Sequence, residues 1–141
     1  MLEIENLSLR IGDTPVLNQV NLSVEPGQIL GVVGESGSGK SLTALSAMQL
    51  LPEGSITSGS VRFGGDELLG STDSDMQKLR GDDLAMIFQE PMTALNPVHT
   101  TGDQIAEGIV LHTGANRAEA KRQAVHMMKR VGLPVAQFPL S

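Results

Sequence analysis

The chain has no cysteine, no tryptophan and no tyrosine, and it carries three phenylalanines among 141 residues. Without cysteine there is no disulfide and no thiolate for a metal. Positive charge is scarce: ten Lys and Arg stand against sixteen Asp and Glu, for a net charge of −6. That balance argues against nucleic-acid binding through bulk charge and leaves room only for a local basic patch. No run approaches the roughly 18 apolar residues needed to cross a bilayer, and the N-terminus lacks a basic stretch followed by an apolar one. His99, His112 and His126 are scattered without ligand spacing, which reads as surface or half-buried histidine rather than a metal site.

What is present suits one ordinary globular domain. Hydrophobic residues make up 40% of the chain and charged residues 18%, enough for a sizeable core. Apolar residues alternate at Leu2, Ile4, Leu7, Leu9 and Ile11, with one slip at Asn6. This predicts a half-buried strand with a bulge near Asn6. A turn over residues 12–15 leads to a second strand over 16–24, and Glu25-Pro26-Gly27 turns the chain again.

The most informative stretch follows. Residues 28–33 read as a buried strand, and residues 42–51 read as a helix that stops at Pro52 and Gly54. Between them stands Gly34-Glu35-Ser36-Gly37-Ser38-Gly39-Lys40-Ser41, which fits G-x-x-x-x-G-K-[ST]. Strand, glycine loop and helix are the context that a phosphate-binding loop requires. Glycines let backbone N–H groups turn inward without a Cβ in the way. The helix starting near Lys40 directs its free N–H groups and positive dipole end at the same place. Lys40 supplies a mobile charge for the outer phosphates, and the Ser41 hydroxyl suits Mg²⁺. A nucleoside triphosphate with Mg²⁺ is the expected ligand.

Further on, residues 58–63 read as a strand, 73–80 as a short polar helix and 84–88 as a short buried strand. Pro91 and Pro97 bracket an irregular segment. The last third is helical. One helix spans 103–112 with Ile105 and Ile109 on a face. A second begins at Asn116 with Glu119 in capping-box spacing, and ends at Gly132 and Pro134. Ala120, Ala124, Met127, Met128 and Val131 form its apolar stripe, which reads as core or as a contact surface for a partner.

Three segments together resemble the nucleotide-binding subunits of ABC transporters: the antiparallel strand pair, the loop 34–41, and Phe88-Gln89-Glu90-Pro91, with Gln89 placed 49 residues after Lys40. Met92-Thr93-Ala94-Leu95-Asn96-Pro97 is similar to a run common in the ATPase subunits of peptide importers, the branch of dipeptide, oligopeptide, glutathione and nickel systems. The resemblance implies an α/β fold: a P-loop NTPase core with an N-terminal antiparallel β subdomain and the start of a helical subdomain. Residues 1–91 would be the β subdomain and loop core, and 92–141 the opening of the helical subdomain. It implies that Gln89 ligates Mg²⁺ or the attacking water and moves with a transmembrane partner. A neutral amide can do this without adding charge to an anionic site. It also implies permease subunits contacted through residues 103–130, a second ATPase subunit, and a place on the cytoplasmic face of the inner membrane.

Two departures from the family pattern carry consequences. Adenine stacks in the family on an aromatic side chain about 23 residues before the first loop glycine; that position is Ile11 here, so aliphatic contact replaces stacking. The Leu-Ser-Gly-Gly-Gln-type signature, the apolar strand ending in Asp-Glu and the switch histidine are not among these 141 residues. The expectation is an N-terminal half-domain that binds Mg-ATP, hydrolyses it very slowly, and exposes apolar sheet surface that favours self-association. The competing expectation is a nucleotide-binding or interaction module that is catalytically silent.

Overall fold

The computed structural model describes residues 1–89 and 95–133. Its elements in chain order are β1 (Leu2–Ile11), β2 (Thr14–Val24), α1 (Lys40–Ala47), β3 (Ser55–Phe63), β4 (Asp66–Glu67), α2 (Asp73–Leu79), α3 (Thr101–Thr113) and α4 (Arg117–Arg130). The chain divides into two compact units, Met1–Gln77 and Lys78–Ser141, each taken here by itself.

The first unit is built on one antiparallel sheet in the order β2-β1-β3-β4. The slip in the β1 alternation is a bulge. Asn6 has φ 51°, and the registers of β1 with both β2 and β3 shift beside it. The extra residue returns Leu7 and Leu9 to the face already occupied by Ile4, and all three are buried. Each such burial contributes about 1.5–3 kcal/mol. Two side chains reinforce the distorted ladder: Asn21 Oδ1 accepts from Asn6 N at 2.8 Å, and Ser8 Oγ accepts from Gln19 N at 2.9 Å. On the other side Arg62 bridges Glu3 and Glu5 across β1 and β3, at 3.6 and 3.1 Å. Leu17, Val61, Leu68 and Met76 complete the buried set with Thr43, Ser46, Ala47 and Met48 around α1.

Helix α1 is shorter than its sequence predicts. It ends at Ala47 because Gln49 adopts φ 50°, with Gln49 N donating to Ser46 O at 3.1 Å and Leu50 N donating to Leu45 O at 2.9 Å. This is the paired closure that a left-handed residue makes at a helix end, carried by glutamine rather than glycine.

Residues 28–33 and 84–88, expected as buried strands, are neither helix nor strand. Ile29 is 97% exposed, Val33 92% and Ile87 97%. A parallel strand exists only through ladder partners on its edges and cover on its faces. Among the described residues, the one sheet recruits neither segment.

In the second unit α3 and α4 pack through Ala106, Ile109, Ala120 and Ala124, with Ile105 and Ala115 against them. Both helix starts are side-chain capped. Thr100 Oγ1 accepts from Asp103 N at 3.1 Å, and Asn116 Oδ1 accepts from Glu119 N at 3.0 Å. The Glu119 carboxylate turns instead to Arg122 and Gln123. The Arg122 hydrogen bond, then that from Gln123, holds its pKa below the usual glutamate value. The apolar stripe of α4 is narrower than expected: Ala120, Ala124 and Met128 are buried, whereas Met127 and Val131 face outward. Spacing of i, i+4 and i+8 keeps to one side of the helix, and the intervening positions turn away. Gly132, at φ 77°, ends α4 where its sequence places the stop.

Candidate functional site: the glycine loop at the start of helix α1

The loop is entered through a turn closed at both ends: Gln28 N donates to Glu25 O at 3.0 Å, and Gln28 Oε1 accepts from Glu25 N at 2.9 Å. Residues 34–41 then fold on themselves. Ser38 N donates to Glu35 O at 3.2 Å, and Gly37 and Gly39 take φ 81° and 90°, where an L side chain is strained. A Cβ at Gly34 would stand 2.7 Å from Ser38 Oγ, so its glycine permits the loop to close; one at Gly37 would meet open space.

Lys40 anchors the inside of this turn. Its Nζ donates to the carbonyl oxygens of Gly34 and Glu35, at 2.8 and 2.6 Å, and to Ser38 Oγ at 3.2 Å. The ammonium therefore satisfies loop carbonyls that would otherwise point their negative ends into the bend. That leaves the opposite dipole ends, the N–H groups, as what the loop can offer a ligand. Helix α1 begins in the same place. Gly39 occupies its cap position without a side-chain cap, and no acidic residue lies in its first turn. The amides and positive dipole end at this terminus are uncompensated by protein charge, an arrangement that suits an anion.

The junction is held from beneath. Gly39 is buried, and a Cβ there would come 2.5 Å from Leu17 Cδ2 on β2. Thr43 pins the first helical turn, with both its N and its Oγ1 donating to Gly39 O at 2.8 and 3.0 Å. Neither Leu17 nor Thr43 belongs to the loop pattern. The only sequence signal for Thr43 is its place four residues after Gly39, where a hydroxyl reaches back along a helix. Leu17 gives no signal at all, because its contact is set by the fold.

Of the residues the sequence proposes, Gly34, Glu35, Ser36, Gly37, Ser38, Gly39, Lys40 and Ser41 come together in this one turn. Ser41 is exposed at the helix start. Ile11 is half-buried at the end of the β1–β2 hairpin, paired with Thr14 and with Ser55 of β3. Gln89 is exposed and belongs to the second unit. Glu90, Pro91 and residues 92–94 of the proline-bracketed run lie outside the described residues, as do residues 134–141. Among the described residues there is no group of three or more His, Cys, Asp or Glu that could hold a metal, and no helix long and apolar enough to cross a membrane.

Comparison with known proteins gives this geometry a family. The profile described as ABC transporter matches residues 17–139. The chain is 45% identical over 139 residues to the uncharacterized ABC transporter ATP-binding protein YejF of Escherichia coli, covering 94% of this chain and 26% of that protein. It is 43% identical over 126 residues to the oligopeptide transport ATP-binding protein OppD of the same organism, covering 89% and 37%. In fold it is similar to the ATP-binding cassette MJ0796, solved as a dimer in a post-hydrolysis state bound to ADP and Pi. That match has a TM-score of 0.76 at 22% identity, covering 98% of this chain and 60% of the other. The chain spans between 26% and 44% of the length of the first curated relatives it matches. With its antiparallel sheet, its glycine loop closing on Lys40 and its α/β architecture, this chain belongs to the ABC transporter family.

Proposed function

We propose that these residues form the ATP-binding part of the energy-coupling subunit of a peptide importer. The observation that carries the reading is the loop closed around Lys40 at the uncapped start of α1. The names of the relatives, among them an oligopeptide transport ATP-binding protein, add the branch. In this reading residues 1–91 are the β subdomain and loop core, and 92–141 open the helical subdomain.

The residues present fit a nucleoside triphosphate. Gly37 leaves open space where a side chain would block approach, and the α1 amides lie beside it. Residues 34–39 would cradle the phosphates through backbone N–H groups, and Lys40 would exchange one or more of its loop acceptors for a phosphate oxygen. Ser41 and Gln89 are the residues for Mg²⁺, which when bound neutralises phosphate charge and orients the oxygens. Ile11 would offer the base an aliphatic edge. Turnover requires a carboxylate to activate or orient water, and residues 84–88 are followed by Gln89 and Glu90 rather than by Asp-Glu. This chain therefore binds Mg-ATP and turns it over very slowly. Permease subunits would be met through residues 103–130 on the cytoplasmic face of the membrane, and a second ATPase subunit would complete the assembly.

The test is equilibrium binding of Mg-ATP to the 141-residue chain, with Lys40→Ala as control and phosphate release followed in the same samples. Saturable binding that weakens at least about tenfold in Lys40→Ala, a loss of about 1.4 kcal/mol, supports the reading. Equal binding by both chains overturns it, and Lys40-dependent phosphate release overturns the slow-turnover part.

A further inference from the structure

Among the described residues, the buried polar side chains are Thr43 and Ser46, at 8% and 0% exposure, and both stand on α1. A polar group buried beside Ala47 and Met48 needs a partner, and each hydroxyl finds one by reaching back four residues. Thr43 Oγ1 donates to Gly39 O at 3.0 Å, and Ser46 Oγ donates to Leu42 O at 2.7 Å. The helix itself does not need these bonds, because its own ladder already serves both carbonyls. Thr43 N donates to Gly39 O at 2.8 Å, and Ser46 N follows Leu42 O by four residues within α1. Hydroxyls that bond back in this way leave a helix no more stable, and small apolar side chains would fill the same space without desolvation.

The two carbonyls belong to one string of peptides. A trans peptide carries its C=O and the following N–H in opposite directions, so the bonds of a helix link its peptides into strings that end at the unpaired N–H groups of the first turn. The string ending at Lys40 N runs through Gly39 O, Thr43 N, Leu42 O and Ser46 N. The string ending at Ser41 N passes Ala44 and Ala47, and the string ending at Leu42 N passes Leu45 and Met48. Both buried hydroxyls therefore fall on the string that ends at Lys40. A second donor on a carbonyl polarises its peptide and strengthens the N–H at the other end, by about 10–30% per bond. It also holds Gly39 O along the helix, so that the Lys40 N–H, in the same peptide plane, points out of the helix start toward the loop. Leu17 seats Gly39, which opens this peptide, from beneath.

We propose that Thr43 and Ser46 are positioning residues that aim and strengthen the Lys40 backbone N–H as a donor to a phosphate oxygen, without touching the ligand themselves. The proposal rests on the reading of residues 34–41 as a nucleoside triphosphate site. It gives Lys40 two separate parts: its ammonium closes the loop on the carbonyls of Gly34 and Glu35, and its amide, tuned from behind, faces the ligand. In the sequence Thr43 and Ser46 are two small polar residues in a short helix, and the burial that singles them out belongs to the fold.

The test compares the 141-residue parent with Thr43→Val, which keeps the shape and loses the hydroxyl, with Thr43→Ser, which keeps the hydroxyl and loses a methyl, and with Ser46→Ala. Affinities for Mg-ATP and for inorganic triphosphate are measured together with the unfolding midpoint of each chain. Thr43→Val should weaken both ligands by the same factor, about threefold or more, and Ser46→Ala by a smaller one. Thr43→Ser should bind as the parent does, although loss of a buried methyl lowers its midpoint below that of Thr43→Val. A merely structural role would rank affinity with stability, and the expected order is the reverse. In nuclear magnetic resonance spectra of the ligand-free chains, Thr43→Val should move the Gly39 carbonyl carbon and the Lys40 amide nitrogen upfield, and the Ser41 and Leu42 nitrogens less. Thr43→Val binding as tightly as the parent, or Thr43→Ser binding as weakly as Thr43→Val, overturns the proposal and leaves the reading of the loop intact. If the parent binds neither ligand, that reading is overturned, and with it the proposal, whatever the resonances show.

Discussion

The Cδ2 methyl of Leu17 lies 2.5 Å from where a Cβ on Gly39 would begin, so the last glycine of the glycine loop is seated directly on strand β2. Gly39 also holds φ 90°. Both facts predict that Gly39→Ala destabilises the first unit, by about 1–2 kcal/mol for the left-handed backbone and about 1–3 kcal/mol for overpacking. Leu17→Ala alone should cost about 2–5 kcal/mol as a buried truncation. The double variant should cost clearly less than the sum, since one change removes the clash of the other. Urea unfolding of the four chains measures this, and strict additivity would show that the two residues do not touch.

Gly59 stands against the β1 bulge in a comparable way. A Cβ there would come 2.5 Å from Asn6 O and 2.6 Å from Glu5 O, both backbone atoms that cannot swing aside, and φ is 101°. Gly59→Ala should therefore cost at least about 3 kcal/mol. If denaturant midpoints show a loss under about 1 kcal/mol, the bulge is not locked between Asn6 and Gly59.

Glu67 closes the β3–β4 turn through its carboxylate, which accepts from Ser60 Oγ at 2.5 Å and from Val61 N and Leu69 N at 2.9 Å each. Burial, the largest single influence, raises its pKa. The three hydrogen bonds and the nearby Arg62 charge together outweigh it, so the value lies below the ordinary 4.5. A depressed folded value means that this contribution is fully present above pH 4.5 and is lost as pH falls through the folded value. The carboxylate is open to solvent, which holds the effect under about 1 kcal/mol. Stability of the parent should decline in that acid window more steeply than that of Glu67→Gln, and parallel profiles would refute the assignment.

The start of α4 depends on Asn116, whose Oδ1 accepts from Glu119 N. Asn116→Ala should lower stability by about 1 kcal/mol, and Asn116→Ser or Asn116→Asp should restore most of it. Thermal unfolding followed by helical circular dichroism reads the difference. An alanine variant as stable as the parent would mean that the cap contributes nothing.

Ile29 and Val33 expose nearly all of their side-chain surface beside the glycine loop. In the 141-residue chain, Ile29→Lys with Val33→Lys should shift sedimentation toward monomer without lowering the unfolding midpoint, because neither side chain is in the buried set. A falling midpoint would place these residues in the folded core.

Much of this molecule follows from local chemistry. The glycine loop was legible because each of its requirements, permissive φ at Gly37 and Gly39, a lysine and a following helix, acts within eight residues. The β1 bulge at Asn6, the Asn116 cap and the Gly132 stop were legible for the same reason: capping and alternation are short-range. The strands expected at residues 28–33 and 84–88 show the limit. Apolar runs state that a segment can be buried, but a parallel strand is made by its neighbours, which an apolar run does not name. Tertiary structure alone decided that Leu17 supports Gly39 and that Lys40 turns its ammonium onto the loop carbonyls. Those contacts join residues far apart along the chain or depend on how side chains turn, and no periodicity in one sequence encodes them.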